Sequence, residues 1–401
     1  MSDPAGELPT AAPEEVGMSS ERLARIGHKM QQSIASGRIQ GAVTAVARRG
    51  KVVHFETHGQ MDVEAARPME KDAIFRMASS TKPILGVAAM MMIEEGLIRP
   101  SNKVTRFLPE FNDTQVAVLE EPTDEDISPR VVQSEKIPPH RLVPAERPIT
   151  IEHLLTHTSG LLSMGLGSAI SGMRPRGPDV TLASYIPTLG EVPLDFQPGT
   201  RWTYSPGAGL DVVARIIEMV SETPFDEFIR TRIFEPLGMT NTYFNVPAEK
   251  EAKRVVIHGR DMSAWNRGPT KYFSASGGLS STAEDFLRFE QMLAHGGQLF
   301  GNRLLSPRSI EVMAANHVGD LFAGVAGGQS GMGFGYTVSM VLDPIAADSR
   351  RSAGAFGWGG AFGTQSWTDP RDALTAVLML QQPHLSTQYD FDNAVRQAIT
   401  D

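Results

Sequence analysis

The stretch Met77-Ala78-Ser79-Ser80-Thr81-Lys82-Pro83 decides how this sequence is read. An apolar run over 84–93 follows it and Gly96 offers a stop, so the segment predicts a helix that starts close to Ser79 and ends near Glu95. Pro83 fits only a first turn, where its missing N–H is not needed. Ser79 and Lys82 are three residues apart, nearly one helical turn, so their side chains share a face. A serine hydroxyl is a poor nucleophile until a base removes its proton, and a neutral lysine amine one turn away can be that base. The N–H groups and dipole at a helix start would favour a developing oxyanion. Taken alone, the pattern fits equally well a helix-capping serine beside a solvated lysine.

Upstream of this stretch, Ser19 or Ser20 can cap a helix carrying Leu23, Ile26 and Met30 at helical spacing. The runs 42–48 and 52–57 flank Arg49-Gly50 and read as a β-hairpin. Downstream, residues 112–148 are rich in Pro and Glu without periodicity, which suggests an extended insertion or flap that shapes a pocket mouth. Thr150 caps a short helix over 151–157 that Gly160 ends. Segments 211–220, 225–234 and 283–294 read as helices. Near the end, 363–369 and 373–382 read as strands joined at Pro370-Arg371-Asp372, before a last helix over about 388–399. Strands at both ends with helices between them predict an α+β fold. Its antiparallel sheet is built from both termini and flanked by helices, with an adjoining, mainly helical domain. The expected division is a discontinuous α/β domain, 1–105 with 255–401, and a helical domain, 106–254.

Bulk composition narrows the function. Of 401 residues, 41% are hydrophobic and 21% charged, an ordinary globular balance. Acidic residues outnumber basic ones 46 to 37, a formal net charge of −9, and no basic run offsets it. Such a surface repels phosphates, so neither nucleic acid nor a membrane surface is expected as a partner. With no cysteine, thiolate nucleophiles and Cys-ligated metals are excluded. The N-terminus lacks a basic start followed by an apolar stretch, so the expectation is a cytoplasmic protein without a signal peptide.

Further candidates accompany Ser79 and Lys82. Tyr204, in Trp202-Thr203-Tyr204-Ser205-Pro206, could carry protons if a cation such as Lys82 lies beside it, although most loop tyrosines only pack. Gly357-Trp358-Gly359-Gly360-Ala361 precedes a strand. Its glycines would let backbone approach a ligand, and its N–H groups could line an oxyanion hole, but a bulge or tight turn reads the same way. His153 and His157 have the spacing of two ligands on one helix face, yet no third ligand is evident, so no metal is expected. Gly327-Gly328-Gln329-Ser330-Gly331 resembles a nucleophile elbow, but Met332 stands where the closing glycine should be, which favours a flexible loop.

In this order, the pieces resemble the class C β-lactamase-related serine hydrolases, whose superfamily motif is Ser-x-x-Lys. The likeness extends over most of the chain. It includes Leu154-Leu155-Thr156-His157-Thr158-Ser159-Gly160-Leu161, Pro198-Gly199 before Tyr204, Pro236-Leu237-Gly238-Met239 with Thr242, and Gly277-Gly278-Leu279-Ser280-Ser281-Thr282. Within that superfamily the chain is most similar to the esterase branch called family VIII carboxylesterases. Trp358-Gly359-Gly360 stands where class C β-lactamases have Lys-Thr-Gly, and Pro206 stands where they have an Asn. Arg147-Pro148-Ile149-Thr150 also looks like these esterases.

The resemblance implies Ser79 as acylated nucleophile, Lys82 as its base and Tyr204 as a proton carrier to the leaving alcohol. The backbone N–H groups of Ser79 and Ala361 would form the oxyanion hole, with Trp358, Gly359 and Gly360 lining the substrate site. It implies hydrolysis of a small-molecule ester with short acyl chains, and no metal or organic cofactor. On the same fold, β-lactamase, D-amino-acid peptidase, amide hydrolase or acyltransferase activity remains open, as does a non-enzymatic β-lactam sensor that acylates without turning over.

Overall fold

The computed structural model describes residues 6–121, 137–172, 176–257 and 269–401. The hairpin reading holds at the start of the chain. β1 (Gly41–Arg48) and β2 (Lys51–Asp62) pair antiparallel. Arg49 and Gly50 both take positive φ, 50° and 78°, the turn geometry that matches the twist of paired strands. The sheet continues through the two residues of β3 (Arg67–Pro68). The other strands come from the last third of the chain: β4 (Met332–Phe334), β5 (Ser339–Val341), β6 (Phe356–Gly359), β7 (Gln365–Asp369) and β8 (Leu374–Met379). Among the described residues they form an eight-stranded antiparallel sheet in the order β4-β5-β6-β7-β8-β1-β2-β3. The two ends of the chain meet where β8 pairs with β1, Val43 facing Met379 and Arg48 facing Leu374.

Strand alternation divides the core between two faces. Ala42, Val46, Trp367, Ala376 and Leu378 pack under α1 (Arg25–Ala35), through Ile26 and Met30, and under Phe391 and Val395 of the helix that closes the described chain. Val43, Ala45, Ala47, Val377 and Met379 face the larger core, which holds α2 (Lys82–Glu94), α3 (Asp211–Ser221) and α4 (Ala283–Ala294). The α2 helix is buried along one continuous run, residues 82–92, because it is apolar nearly all round and has helices on several sides. Among the described residues no helix is long and apolar enough to cross a membrane.

Two local expectations change. Ser79 lies not on an α-helix but in a 3-10 turn, Ala78–Thr81, and α2 begins at Lys82 with Pro83 in its first turn. The cause is Ala78, whose φ of 45° is left-handed and breaks helical continuity just before Ser79. The region read as an irregular insertion contains a hairpin, Gln115–Leu119 with His140–Pro144, and its 122–136 portion lies outside the described residues.

One core group makes stability depend on pH. Glu290 of α4 is fully buried and accepts a hydrogen bond from Thr368 Oγ1 at 2.7 Å. Burial pushes its pKa up to about 7, from 4.5. Over that window the folded state keeps a proton that the unfolded chain releases, so this group's contribution to stability falls as pH rises. Glu290→Gln keeps the shape and cannot ionise. Its melting temperature should exceed that of the parent above about pH 7 and approach it near about pH 5. Calorimetric scans showing the same difference at both pH values would refute this.

Candidate active site

The Ser79 turn is clamped from both sides. Phe75–Arg76 pairs with Ser280–Ser281, and Met77 N–H donates to Leu279 O at 2.9 Å. Thr364 Oγ1 lies 3.2 Å from Met77 O and 2.9 Å from Ser80 Oγ, which ties the start of β7 to the turn. In a 3-10 turn residues i and i+3 eclipse, so the side chain of Lys82 stacks directly against that of Ser79. Ser79 is half-buried and Lys82 fully buried.

Three groups converge on the Ser79 hydroxyl. Lys82 Nζ lies 3.2 Å from Ser79 Oγ, and the Tyr204 hydroxyl lies 2.7 Å from it. Lys82 Nζ also donates to Ser276 O at 2.6 Å and to Pro206 O at 3.4 Å, and sits 5.1 Å from the Tyr204 ring centroid. The residues singled out from Ser-x-x-Lys and from Trp-Thr-Tyr-Ser-Pro are therefore neighbours. Trp358 is half-buried against Tyr204, with ring centroids 5.6 Å apart.

The Gly357–Ala361 segment was expected to precede a strand. Its first part is itself the end of β6, and the chain turns at 360–363 into β7. Gly360 N–H donates to Thr364 O at 2.8 Å, and Gly363 N–H to Gly360 O at 2.9 Å. A Cβ on Gly360 would lie 2.2 Å from Met77 O, so only glycine lets this turn rest against the Ser79 segment. Ala361 is exposed at the tip of the turn, beyond the last ladder pair, Gly359 with Gln365.

The histidine pair does not converge on one point. His153 Nδ1 accepts Thr150 N–H at 3.2 Å, within a capping arrangement whose helix is Ile151–Leu155. His157, beyond the helix at φ 59°, accepts Ser205 N–H on Nδ1 at 3.3 Å and sets its ring 4.8 Å from that of Tyr204, edge to face. Burial, followed by the Lys82 charge, pushes its pKa well below the usual imidazole value, so it is neutral and can accept that bond. Ser330, in the elbow-like stretch, is exposed, and its hydroxyl donates to Ala346 O at 2.8 Å.

Sequence reading missed two contributors. Asp211, fully buried at the start of α3, accepts Ser276 N–H at 2.9 Å, Tyr272 OH at 2.8 Å and Ser274 Oγ at 3.0 Å. It thereby fixes the carbonyl of Ser276 that holds Lys82. The available signal was an acidic residue opening an amphipathic helix, which reads as an ordinary first-turn charge. The second is an aromatic wall: Trp202, Phe322 and Phe334 pack beside Tyr204 and Trp358. Trp202 adjoins Tyr204 in sequence, but Phe322 and Phe334 come from a distant segment, and no spacing links them to it.

Comparison with known proteins bears on the family and the fold. The family model described as Beta-lactamase matches residues 26–400. An uncharacterized protein of Mycobacterium tuberculosis is 36% identical over 380 residues, 88% of each chain. Esterase EstB of Burkholderia gladioli is 30% identical over 410 residues, 94% of each chain. Among solved structures, EstCE1, described as a hydrolase with promiscuous acyltransferase activity, superposes with a TM-score of 0.76 at 24% identity, covering 95% of this chain and 99% of its own. The expected antiparallel-sheet α+β fold and the resemblance read from the motifs are both upheld, and the chain belongs to the β-lactamase family of serine hydrolases.

Proposed function

We propose that the protein is a carboxylesterase that hydrolyses short-chain acyl esters through an acyl-enzyme on Ser79. The observation that carries this reading is the contact of one hydroxyl, Ser79 Oγ, with both Lys82 Nζ and Tyr204 OH. Two carbonyls, Ser276 O and Pro206 O, take two N–H bonds of Lys82. With those two directions taken by carbonyls, the remaining direction at Nζ faces Ser79 Oγ.

Ser79 Oγ attacks the ester carbonyl carbon while its proton passes to Lys82 Nζ. The developing oxyanion is held by the N–H groups of Ser79 and Ala361. The carbon–oxygen bond to the alcohol then breaks, and Tyr204 gives its hydroxyl proton to the departing oxygen. Lys82 returns a proton to Tyr204, which restores both groups and leaves an ester on Ser79. Water repeats the sequence, giving one proton up to the pair as it attacks and freeing Ser79 and the acid. Trp358, Gly359 and Gly360 line the substrate side, and the chemistry calls for no metal or cofactor.

Preference for esters over β-lactams follows from two positions. At 206 the chain offers Lys82 a backbone carbonyl and no side-chain amide for an acylamino group. At 358 it presents an indole where a β-lactam carboxylate would need a cation. A charge-assisted contact is worth about 1.5–3 kcal/mol, roughly a tenfold to hundredfold loss in relative efficiency. Nitrophenyl esters of increasing chain length, assayed beside a chromogenic cephalosporin, should show kcat/KM higher for the butyrate by at least about tenfold. Equal efficiencies would refute the esterase reading in favour of a β-lactamase, and a single burst of acylation without turnover would favour a sensor. An added alcohol that diverts most of the acyl group from water would favour an acyltransferase.

A further inference from the structure

We propose that His54, Glu56 and His58 form a binding site for a divalent transition-metal ion of the zinc type, on the face of the sheet remote from Ser79. The three residues alternate along β2, so strand geometry puts all of them on one face. That face is the one shared by Ala42, Thr44 and Val46, which stand opposite His58, Glu56 and His54 in the register. Val43 and Ala45 point the other way, into the core that contains α2 and its Lys82. Each residue of the trio offers one ligand atom, and these atoms all lie within 4.8 Å of one another. Tetrahedral zinc with bonds of about 2.0–2.1 Å sets its ligands roughly 3.3 Å apart. The set is thus nearly assembled, and the half-exposed Glu56 carboxylate is the member free to close in.

Two features show that the cluster is built rather than accidental. Four residues apart on an extended strand, the two imidazoles would normally stand side by side at a distance. Here both lean inward onto the Thr44 hydroxyl, with His54 Nε2 at 2.8 Å and His58 Nε2 at 2.9 Å. That contact fixes the His54 ring with its other nitrogen, Nδ1, turned to the carboxylate, 3.8 Å from Glu56 Oε1, while Glu56 Oε2 lies 3.9 Å from His58 Nε2. His54, held by an outer hydroxyl on one nitrogen with the other turned to the carboxylate, has the usual metal-binding arrangement, whereas His58 presents Nε2 to both Thr44 and Glu56 and would exchange the Thr44 contact for the ion. The second feature is in α1. The helix passes over the cluster at Gly27, where a Cβ would lie 3.2 Å from Glu56 Oε2. Glycine in a helix interior is destabilising relative to alanine, and here it leaves room for the carboxylate and whatever binds it.

The competing explanation is a pair of His–Glu ion pairs. Both imidazoles are buried, and the His54 Nδ1–Glu56 Oε1 and His58 Nε2–Glu56 Oε2 separations, 3.8 and 3.9 Å, are too long for direct hydrogen bonds. Two imidazoles turned to one carboxylate without a direct bond are instead the His₂Glu combination that zinc accepts. Because the trio lies across the sheet from Ser79, the ion would sit on β2 beneath Gly27 of α1 and take no part in ester chemistry.

The test uses the full chain, stripped with EDTA, desalted, and titrated with Zn²⁺ by calorimetry and with Co²⁺ by visible absorption. One equivalent of each should bind, Co²⁺ should develop the intense bands of a low-coordinate site, and Zn²⁺ should raise the melting temperature. Glu56→Gln, at a half-exposed position, and His58→Gln should each weaken binding by more than about a hundredfold, beyond the roughly 10–100-fold that loss of an outer partner costs. If His58→Gln does not fold, Glu56→Gln decides alone. Absence of saturable binding at one equivalent, or an affinity that Glu56→Gln leaves within about threefold of the parent value, would overturn the site and assign any bound metal to other histidines.

Discussion

Ser79→Ala is expected to lower ester turnover by about 10⁵–10⁶-fold, close to background, while leaving the melting temperature nearly unchanged. Both halves of this result follow from the geometry. Ser79 Oγ is the atom on which the Lys82 amine and the Tyr204 hydroxyl converge, so the proposed acyl-enzyme forms there. Removing a nucleophile from a cooperating set costs nearly as much as removing the whole set. Ser79 is only half-buried, and the turn around it is held by Met77, Ser80 and Thr364, none of which depends on the Ser79 side chain. A phosphonate ester should label the parent enzyme once, at Ser79, and fail to label the variant. Labelling at Ser330, or a variant that retains turnover, would sink the nucleophile assignment.

Tyr204→Phe should lose about a hundredfold to ten-thousandfold in kcat, the usual contribution of a positioned acid–base group. KM should change little, and the shape of the pH–rate profile should alter. The substitution deletes one oxygen and keeps the ring. The ring is what packs against His157, Trp202 and Trp358, so folding should survive. Lost with the oxygen are the 2.7 Å contact to Ser79 and, in the proposed mechanism, the proton given to the departing alkoxide. A purely structural tyrosine would shift stability and leave the pH profile alone. Retention of more than about a third of parental kcat in a folded variant, far outside the range for an acid–base group, would return Tyr204 to a packing role.

What could be read from the sequence was what local chemistry controls. The segment 211–220 shows a helical apolar period and opens with an acidic residue, and the helix is Asp211–Ser221. Thr282 precedes Ala283–Ala294 as a capping residue, and its side chain accepts Asp285 N–H. Arg49-Gly50 is a turn because both residues tolerate positive φ there. Ser79, Lys82 and Tyr204 stood out because few residue types can do their chemistry. What escaped depends on distant partners. The strand Phe356–Gly359 contains two glycines and reads as a turn until β5 and β7 pair on either side of it. The hairpin around 115–144 has halves too far apart for a turn signal. Ala78 holds a left-handed backbone that alanine does not advertise, so the α-helix seemed to begin at Ser79. Asp211 acts on Lys82 only through the Ser276 backbone, a relay that no motif spells out.

The seam between β1 and β8 has a consequence for biosynthesis. A ribosome makes the Ser79 turn long before it reaches Phe356–Gly359, whose following turn rests on Met77. Until β8 emerges, β1 has β2 on one side and an unpaired row of peptide groups on the other. Such long-range pairing is slow and leaves an edge open to aggregation. Chains interrupted before residue 356 would therefore be both inert and sticky. Hydrolytic competence would appear abruptly, with the last strands, rather than growing with chain length.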